Sequence, residues 1–364
     1  MLRLLIVIAI MCTSAYFAEK HKNWSLVLTS VIVVAYTLYV GLRTSYNDTP
    51  AYIKSFNGAI SLQSFLANPD RMNVLHNPLF YGFNSWMRGI TDNYHHFFMV
   101  VAFFDSALLV RFLKKYSFGH FAFTILVFWG YGLGMFGAAA MKQITAMAVL
   151  TLSIDALKNR RWILYILIVL VAGLIHTYAI MFLVLPLFIA PPWNWRTLLL
   201  LALTVVAIFT FNTTISTVLD YVDELGRSVS EAEVFDGVSM NVFRVLVFAI
   251  VPVMLFVFRG RLVPQMDKTQ YVFANMAIIA FMFALLGGVQ GANMFGRLAT
   301  YFMLGDICLL GWILNELFEE QSKRFITTIA VVLFIVFIIY DNKTIDNYGG
   351  YASISLFDYL SGVH

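Results

Sequence analysis

The sequence predicts an all-α, polytopic integral membrane protein, a helical bundle with about twelve crossings. Three observations carry that prediction. Hydrophobic residues make up 60% of the 364 and charged ones only 12%, against about 45–50% and about 25% in soluble globular chains. The mean hydropathy is +0.80. Apolar runs of roughly 15–20 residues, enough to cross a ~30 Å hydrocarbon core, recur along the whole chain. Such a composition excludes a disordered chain, a coiled coil, a disulfide scaffold and a nucleic-acid binder. The formal charge of +4 follows from membrane topology rather than from an anionic partner. Cys12 and Cys308 each lie inside an apolar run, so neither a disulfide framework nor a metal site is expected.

The runs fall at 2–18, 24–42, 96–113, 118–137, 143–157, 162–190, 197–211, 241–258, 270–288, 298–315 and 325–340. The first reads as a crossing and not a signal peptide, because Glu19-Lys20-His21-Lys22 follows it without a small-residue cleavage site. Basic clusters stand at Lys20/Lys22, Arg111/Lys114/Lys115, Lys158/Arg160/Arg161, Arg259/Arg261/Lys268 and Lys323/Arg324. Cytoplasmic loops concentrate Lys and Arg, so these clusters should share a side. Run 162–190 decides whether they do. As one crossing it would put Arg259-Gly260-Arg261 outside and the acidic stretch 212–240 inside, against the rule. As two short crossings meeting near His176 it returns every basic cluster to the cytoplasm. The length, too great for one span and slightly short for two, fits a broken or re-entrant pair with its apex at Ile175-His176-Thr177. Non-helical backbone at that depth survives only where protein or a water-filled cavity covers it. Both termini then lie outside.

The chain reads as a single membrane domain, 1–364, with outer segments at 43–95, 212–240 and 341–364. In the first, Asn77-Pro78 reads as a cap followed by Pro at the first helical position. Leu79, Phe83, Trp86 and Met87 then form an apolar stripe at helical spacing. Ile60, Phe65 and Leu66 give a weaker one. Helices of this kind lie in the interface plane. Thr214–Leu225 reads likewise, with Ile215, Val218, Val222 and Leu225 opposite Asp220, Asp223 and Glu224.

Ionisable groups at membrane depth are costly and each needs a reason. The outer side and its membrane edge hold Arg43, Asp48, Lys142, His176, Arg244 and Arg297. Snorkelling accounts for any one cation, but not for three at crossing ends on the outer side. Arg43, Lys142 and Arg297 converging on one cavity would suit a doubly charged diphosphate. Tyr301 follows Arg297 by one helical turn on the same face. His176 at the predicted break is suited to general-base work or hydrogen-bond donation; the plainer reading is a satisfied core histidine. Asp48 and Tyr52, shortly after Arg43, offer an alternative base and a substrate contact, although Asp48 also reads as a turn residue in Tyr46-Asn47-Asp48-Thr49-Pro50. Asp105, Asp155 and Asp306, inside crossings, are expected to pair structurally toward the cytoplasmic half. The sequence has no Walker loop, Rossmann fingerprint, metal-spaced His/Glu helix or nucleophile elbow. The glycines of 130–137 and 287–288 sit in apolar surroundings and suit helix packing.

The same residues carry a family resemblance. The order Arg43…Asp48…Tyr52, Pro78-Leu79-Phe80, Lys142-Gln143, His176-Thr177-Tyr178-Ala179 and Arg297…Tyr301-Phe302 resembles the EpsG family of Wzy-type polysaccharide polymerases over roughly residues 40–305. Two departures stand out: Lys142 replaces the family's Arg, and His76-Asn77 stands where an acidic residue commonly precedes the Pro. The resemblance implies a GT-C-like membrane glycosyltransferase that joins lipid-linked oligosaccharide repeat units on the outer face of the bacterial cytoplasmic (inner) membrane. Its donor would be a polyprenyl-diphosphate-linked glycan and its acceptor a hydroxyl of another such unit, with no nucleotide sugar and no cofactor. It implies Arg43, Lys142 and Arg297 on the diphosphate, His176 as base with Asp48 second, and Tyr52, Gln143 and Tyr301 as substrate contacts. The segment 56–90 would cover the cavity or guide the lipid. Membrane lipids, a flippase and a chain-length regulator are the implied partners. The rivals are a flippase or transporter of the lipid-linked glycan, which predicts inverted repeats and midplane charges, and a membrane acyltransferase, which predicts an acid or nucleophile paired with His176. No repeat is visible, the cations lie toward one face, and Thr177 alone is a poor nucleophile. Single cysteines placed at Arg160 and Arg261 in a cysteine-free background should be labelled from the same side of the membrane. Labelling from opposite sides would contradict the double crossing of 162–190.

Overall fold

The computed structural model describes residues 1–210, 238–346 and 350–362. Nearly all of the acidic outer segment, including Thr214–Leu225, lies outside the described residues, as do 347–349 and 363–364 of the tail. The protein is helical, with one two-stranded pairing among the described residues. Five described helices are long and apolar enough to cross a membrane, or eight spans if each of three sharply bent pairs counts as one. The chain is an all-α membrane protein. It divides into two compact units, Met1–Phe182 with Arg324–His364, and Leu183–Lys323.

The first unit opens with α1 (Leu2–Lys20) and α2 (Ser25–Gly41), then β1 (Arg43–Ser45), α3 (Thr49–Asn57), α4 (Leu62–Leu66) and α5 (Pro78–Arg88). Helices α6 (Tyr94–Lys115), α7 (Phe121–Gly130), α8 (Leu133–Ala139), α9 (Met141–Lys158) and α10 (Trp162–Ile175) follow. The run expected as one crossing at 118–137 is a bent pair, α7 and α8 meeting at 51°, with Gly132 at φ +80° supplying the left-handed turn between them. Pro78 occupies the first turn of α5, as expected. The expected apolar stripe of α5 is divided: Met87 is buried and Phe83 half-buried, whereas Leu79 and Trp86 face outward, and Asn84 and Ser85 take the inner face beside Phe80 and Met87.

The predicted break in 162–190 is present. Helix α10 ends at Ile175, His176 is extended (φ −150°, ψ 116°), and a 3-10 helix runs over Thr177–Phe188. The chain folds back there, since the Tyr165 hydroxyl donates to the Phe182 carbonyl. A Cβ on Gly173 would lie 3.1 Å from Ile180 Cγ1, so glycine permits this close return.

The second unit contains α11 (Trp195–Phe209), α12 (Val242–Val257), α13 (Arg259–Leu262), α14 (Lys268–Val289), α15 (Ala292–Phe302) and α16 (Leu304–Leu317). Asp267 and Gln270 form a reciprocal capping box on α14, each hydrogen bond 2.8 Å. Asn275 Nδ2 donates to the carbonyls of Phe188 and Ala190 at 2.7 and 2.8 Å. Helix α16 crosses α14 so closely that a Cβ on Gly305 would meet the Phe273 carbonyl oxygen at 2.2 Å. Asp306 is fully buried next to this crossing.

The chain re-enters the first unit along α17 (Glu320–Asp346) and ends in β2 (Ala352–Ser353) and α18 (Leu356–Ser361). The first unit thereby acquires two chemically different ends. At one, Lys114 Nζ donates to Thr29 Oγ1 at 2.9 Å, tying the end of α6 to the start of α2. There Lys115 and Tyr116 bind Asp155, with Arg111 at 3.9 Å, and the Phe121 N–H donates to the Glu19 carboxylate. The basic ends of α1, α6 and α9 thus gather together, and Asp155 is structurally paired. At the other end β2 pairs antiparallel with β1, Arg43 facing Ser353. Ile354 N–H donates to the Leu42 carbonyl at 3.0 Å, Tyr351 stacks on Tyr39 at 4.5 Å, and Arg3 Nη1 donates to Ser353 Oγ at 2.8 Å.

Candidate functional site

The sequence-predicted residues of the first unit collect at this second end. Arg43 leaves the end of α2 and turns inward. It has no exposure to solvent. Its Nη1 donates to the Val40 carbonyl at 2.6 Å and its Nε to Thr49 Oγ1 at 3.2 Å, while the guanidinium lies 4.1 Å from the centre of the Phe98 ring. Thr49 Oγ1 in turn donates to the Ala138 carbonyl at 3.5 Å, linking the first turn of α3 to the end of α8. Nη2 has no partner among the described residues. Burial lowers the Arg43 guanidinium to about 10, and Tyr52, Tyr351, Tyr36 and Asp105 act in the opposite direction. It therefore remains a cation at neutral pH.

Asp105 is expected to pair with a neighbouring helix, and it does, buried close to Arg43 and Tyr36. Its Oδ2 accepts a 2.9 Å hydrogen bond from Thr145 Oγ1, and Thr145 lies in the first turns of α9, just past Lys142. The packing of α6 against α9 thus brings the middle of α6 to the Arg43 end.

Lys142, half-buried at the start of α9, extends Nζ to the Tyr81 hydroxyl at 3.1 Å and lies 5.0 Å from the centre of that ring. Its backbone N–H donates to the Tyr52 hydroxyl at 3.4 Å. Burial pushes the Tyr52 phenol up, so this oxygen is a neutral acceptor. Tyr52 is held edge-on against Phe80 of α5, ring centres 6.0 Å apart. Gln143 is buried beside Lys142. Asp48 occupies the N-cap position of α3 without a capping hydrogen bond, following Asn47 in the left-handed region at φ 44°; its charge acts on Tyr52. An open groove of about 650 Å³ lies against a different face of α3 from Tyr52, lined by Thr44, Pro50, Ile53, Lys54, Asn57 and Gly58.

His176 is buried at the hairpin apex, edge-on to Tyr178 with ring centres 5.2 Å apart. The neighbouring Thr177 donates its N–H and its hydroxyl to Asn77 Oδ1, at 3.1 and 3.2 Å. Asn77 stands at the N-cap position of α5, as expected, but its side chain does not cap that helix. It caps the 3-10 helix instead. Helix α5 is therefore joined to the His176 apex by its N-cap residue and to Lys142 one turn later, through Tyr81. The structure brings Arg43, Tyr52, Lys142, Gln143 and His176 to one end of the first unit. Arg297 and Tyr301 belong to α15 of the second unit, where Arg297 Nε donates to Asn293 Oδ1 at 3.0 Å and Tyr301 is fully buried. Among the described residues no group of three His, Cys, Asp or Glu side chains is placed to hold a metal ion.

Six further contributors come from the structure: Thr49, Tyr81, Phe98, Thr145, Tyr351 and the side chain of Asn77. Tyr81 had one available signal, its position one turn after a helix-initiating Asn-Pro. The arrangement can present an ammonium held by a phenol, a buried guanidinium behind it, and an imidazole on a fixed apex.

The model of the EpsG family matches residues 26–361 of this chain. Comparisons with curated proteins and with solved structures gave no match.

Thr49→Val keeps the shape of the residue and removes both the acceptor for Arg43 and the donor to Ala138. It should destabilise the purified protein by about 1–3 kcal/mol, the range for losing a hydrogen bond to a charged group, read as a lower thermal midpoint in detergent. An unchanged midpoint would mean that Arg43 is satisfied elsewhere.

Proposed function

Because the chain belongs to the EpsG family, a family of Wzy-like exopolysaccharide polymerases, we propose that it is a GT-C-like membrane glycosyltransferase. It joins polyprenyl-diphosphate-linked oligosaccharide repeat units on the outer face of the bacterial cytoplasmic membrane. The observation that supports this reading best is the pairing, through α5, of a half-buried Lys142 with the His176 apex. The donor carries its own leaving group. The protein must therefore deprotonate an acceptor hydroxyl and stabilise the charge that develops on the departing diphosphate.

In this mechanism the acceptor oxygen attacks the anomeric carbon of the donor as its proton passes to His176, with Asp48 the second candidate. The bond between that carbon and the diphosphate oxygen breaks, and polyprenyl diphosphate leaves with the electron pair. Lys142 bears on the diphosphate directly. Arg43 adds positive potential from behind it in a low-dielectric setting, with Nη2 as an unused donor. Arg297 enters this assignment on its sequence motif alone, and Tyr52, Gln143 and Tyr301 serve as substrate contacts. The outer segment 56–90, with Leu79 and Trp86 turned outward, guides the lipid at the interface.

The gathering of Lys114, Lys115 and the start of α2 at one end of the first unit supports a cytoplasmic placement for that end. The Arg43 end, with the first turn of α1 and the C-terminal strand, then faces outward. The fuller topology of about twelve crossings takes α9 and the shorter apolar helices Trp162–Ile175, Thr177–Phe188 and Trp195–Phe209 as crossings too.

In a deletion strain complemented with variants, Lys142→Ala, His176→Ala and Arg297→Ala should each cut polymer by about 100-fold or more. Single lipid-linked units should accumulate while the protein remains in the membrane at normal amounts. Wild-type polymer from both Lys142→Ala and His176→Ala would overturn the assignment.

A further inference from the structure

We propose that Asn77 is a positioning residue for the reaction: its side-chain carbonyl pins the His176–Thr177 apex to helix α5 and so sets His176 in register with Lys142. This rests on the reading of His176 and Lys142 given above. Asn77 itself need not touch substrate.

The backbone of Asn77 lies in the left-handed region, φ 54° and ψ 55°. Apart from glycine, Asn and Asp adopt that conformation most readily. The turn frees the side chain from α5, the helix it precedes, and sends Oδ1 across to Thr177 a hundred positions along the chain. The start of a 3-10 helix leaves N–H groups without helical partners. Asn77 Oδ1 takes the first of these, Thr177 N–H, at 3.1 Å, and the Thr177 hydroxyl at 3.2 Å. On the other side of the apex, His176 N–H donates to the Ala172 carbonyl and the His176 carbonyl accepts from Ala179 N–H, both at 2.9 Å. The hairpin's own hydrogen bonds thus shape the apex internally, and the side chain of Asn77 anchors it to α5. From there the path to the cation is short. Tyr81 N–H donates to the Asn77 carbonyl at 3.2 Å, and the Tyr81 hydroxyl accepts from Lys142 Nζ at 3.1 Å. Deleting the anchor leaves both reacting groups present but loosens the distance between them. Misalignment of that kind, on the order of 1 Å, lowers turnover by up to about 100-fold and affects ground-state binding much less.

Full-length protein in proteoliposomes, supplied with lipid-linked repeat units extracted from a deletion strain, allows the test. Asn77→Asp keeps the acceptor and the tolerance for left-handed backbone, and should turn over within about twofold of wild type. Asn77→Gly keeps the backbone tolerance and deletes the acceptor. Its turnover should fall roughly 10- to 100-fold with the apparent KM within about twofold, at a thermal midpoint matching that of Asn77→Asp. Thr177→Pro reads the same contact from the opposite side, should Asn77→Gly not fold. It removes both donors at a helix start where proline is tolerated, and the extended His176 already has the conformation favoured before proline. It should show the same loss of turnover. Unchanged turnover in Asn77→Gly or Thr177→Pro would overturn the proposal, as would a raised KM at normal turnover. If His176→Ala also keeps full turnover, the assignment of the site fails with it. If His176→Ala is inactive while Asn77→Gly is normal, only the positioning role fails.

Discussion

A guanidinium held entirely away from water is the constraint around which one end of the first unit is organised. Burying a charge costs several kcal/mol unless it is hydrogen-bonded and electrostatically balanced. Arg43 meets that requirement with groups from widely separated parts of the chain: the Val40 carbonyl, the Thr49 hydroxyl and the face of Phe98, with the Asp105 carboxyl close by. Each of these fixes something else. Thr49 ties α3 to α8, and Asp105 is itself held by Thr145 of α9. The strand that bears Arg43 is completed by the C-terminal strand, whose Tyr351 lies against Tyr39. Burial pushes the Tyr351 phenol up to about 12, so it covers the cation as a neutral group.

The second organising element is the hairpin at His176. A broken helix leaves backbone donors and acceptors that an apolar environment cannot satisfy, and here Asn77, at the start of α5, supplies one of the partners. Helix α5 thereby acts as a rigid spacer between an imidazole and an ammonium. Under the proposed mechanism, with one group on the attacking hydroxyl and the other on the leaving diphosphate, such a spacer fixes their alignment before substrate arrives. In the proposed reaction the energy of the new glycosidic bond comes with the donor.

What was legible in the sequence follows from local periodicity and cost. The membrane class, the order of the apolar runs and the break in 162–190 were readable because length and charge leave few ways to cross a bilayer. His176, Lys142 and Arg43 stand out in the sequence as candidates because charged or titratable groups in or beside apolar runs are rare. The contacts between them were not. Asp105 sits mid-helix in α6, and only the packing of α6 on α9 brings it to the Arg43 end. Asn77 looked like a cap for its own helix, and nothing nearby in sequence signals that its carbonyl serves a turn a hundred residues away. The pairing of the C-terminal strand with β1 depends on a register of two or three residues, too short to leave a pattern.

Release of the leaving group tests the central claim most directly. Purified protein in proteoliposomes that hold only lipid-linked repeat units, with no nucleotide sugar, can be followed for free polyprenyl diphosphate and for glycan length together. One diphosphate should be released for each new glycosidic bond, and release and elongation should be lost in parallel when Lys142 is replaced by Ala. Elongation without diphosphate release, or movement of intact lipid-linked units across the bilayer with neither, would contradict that claim.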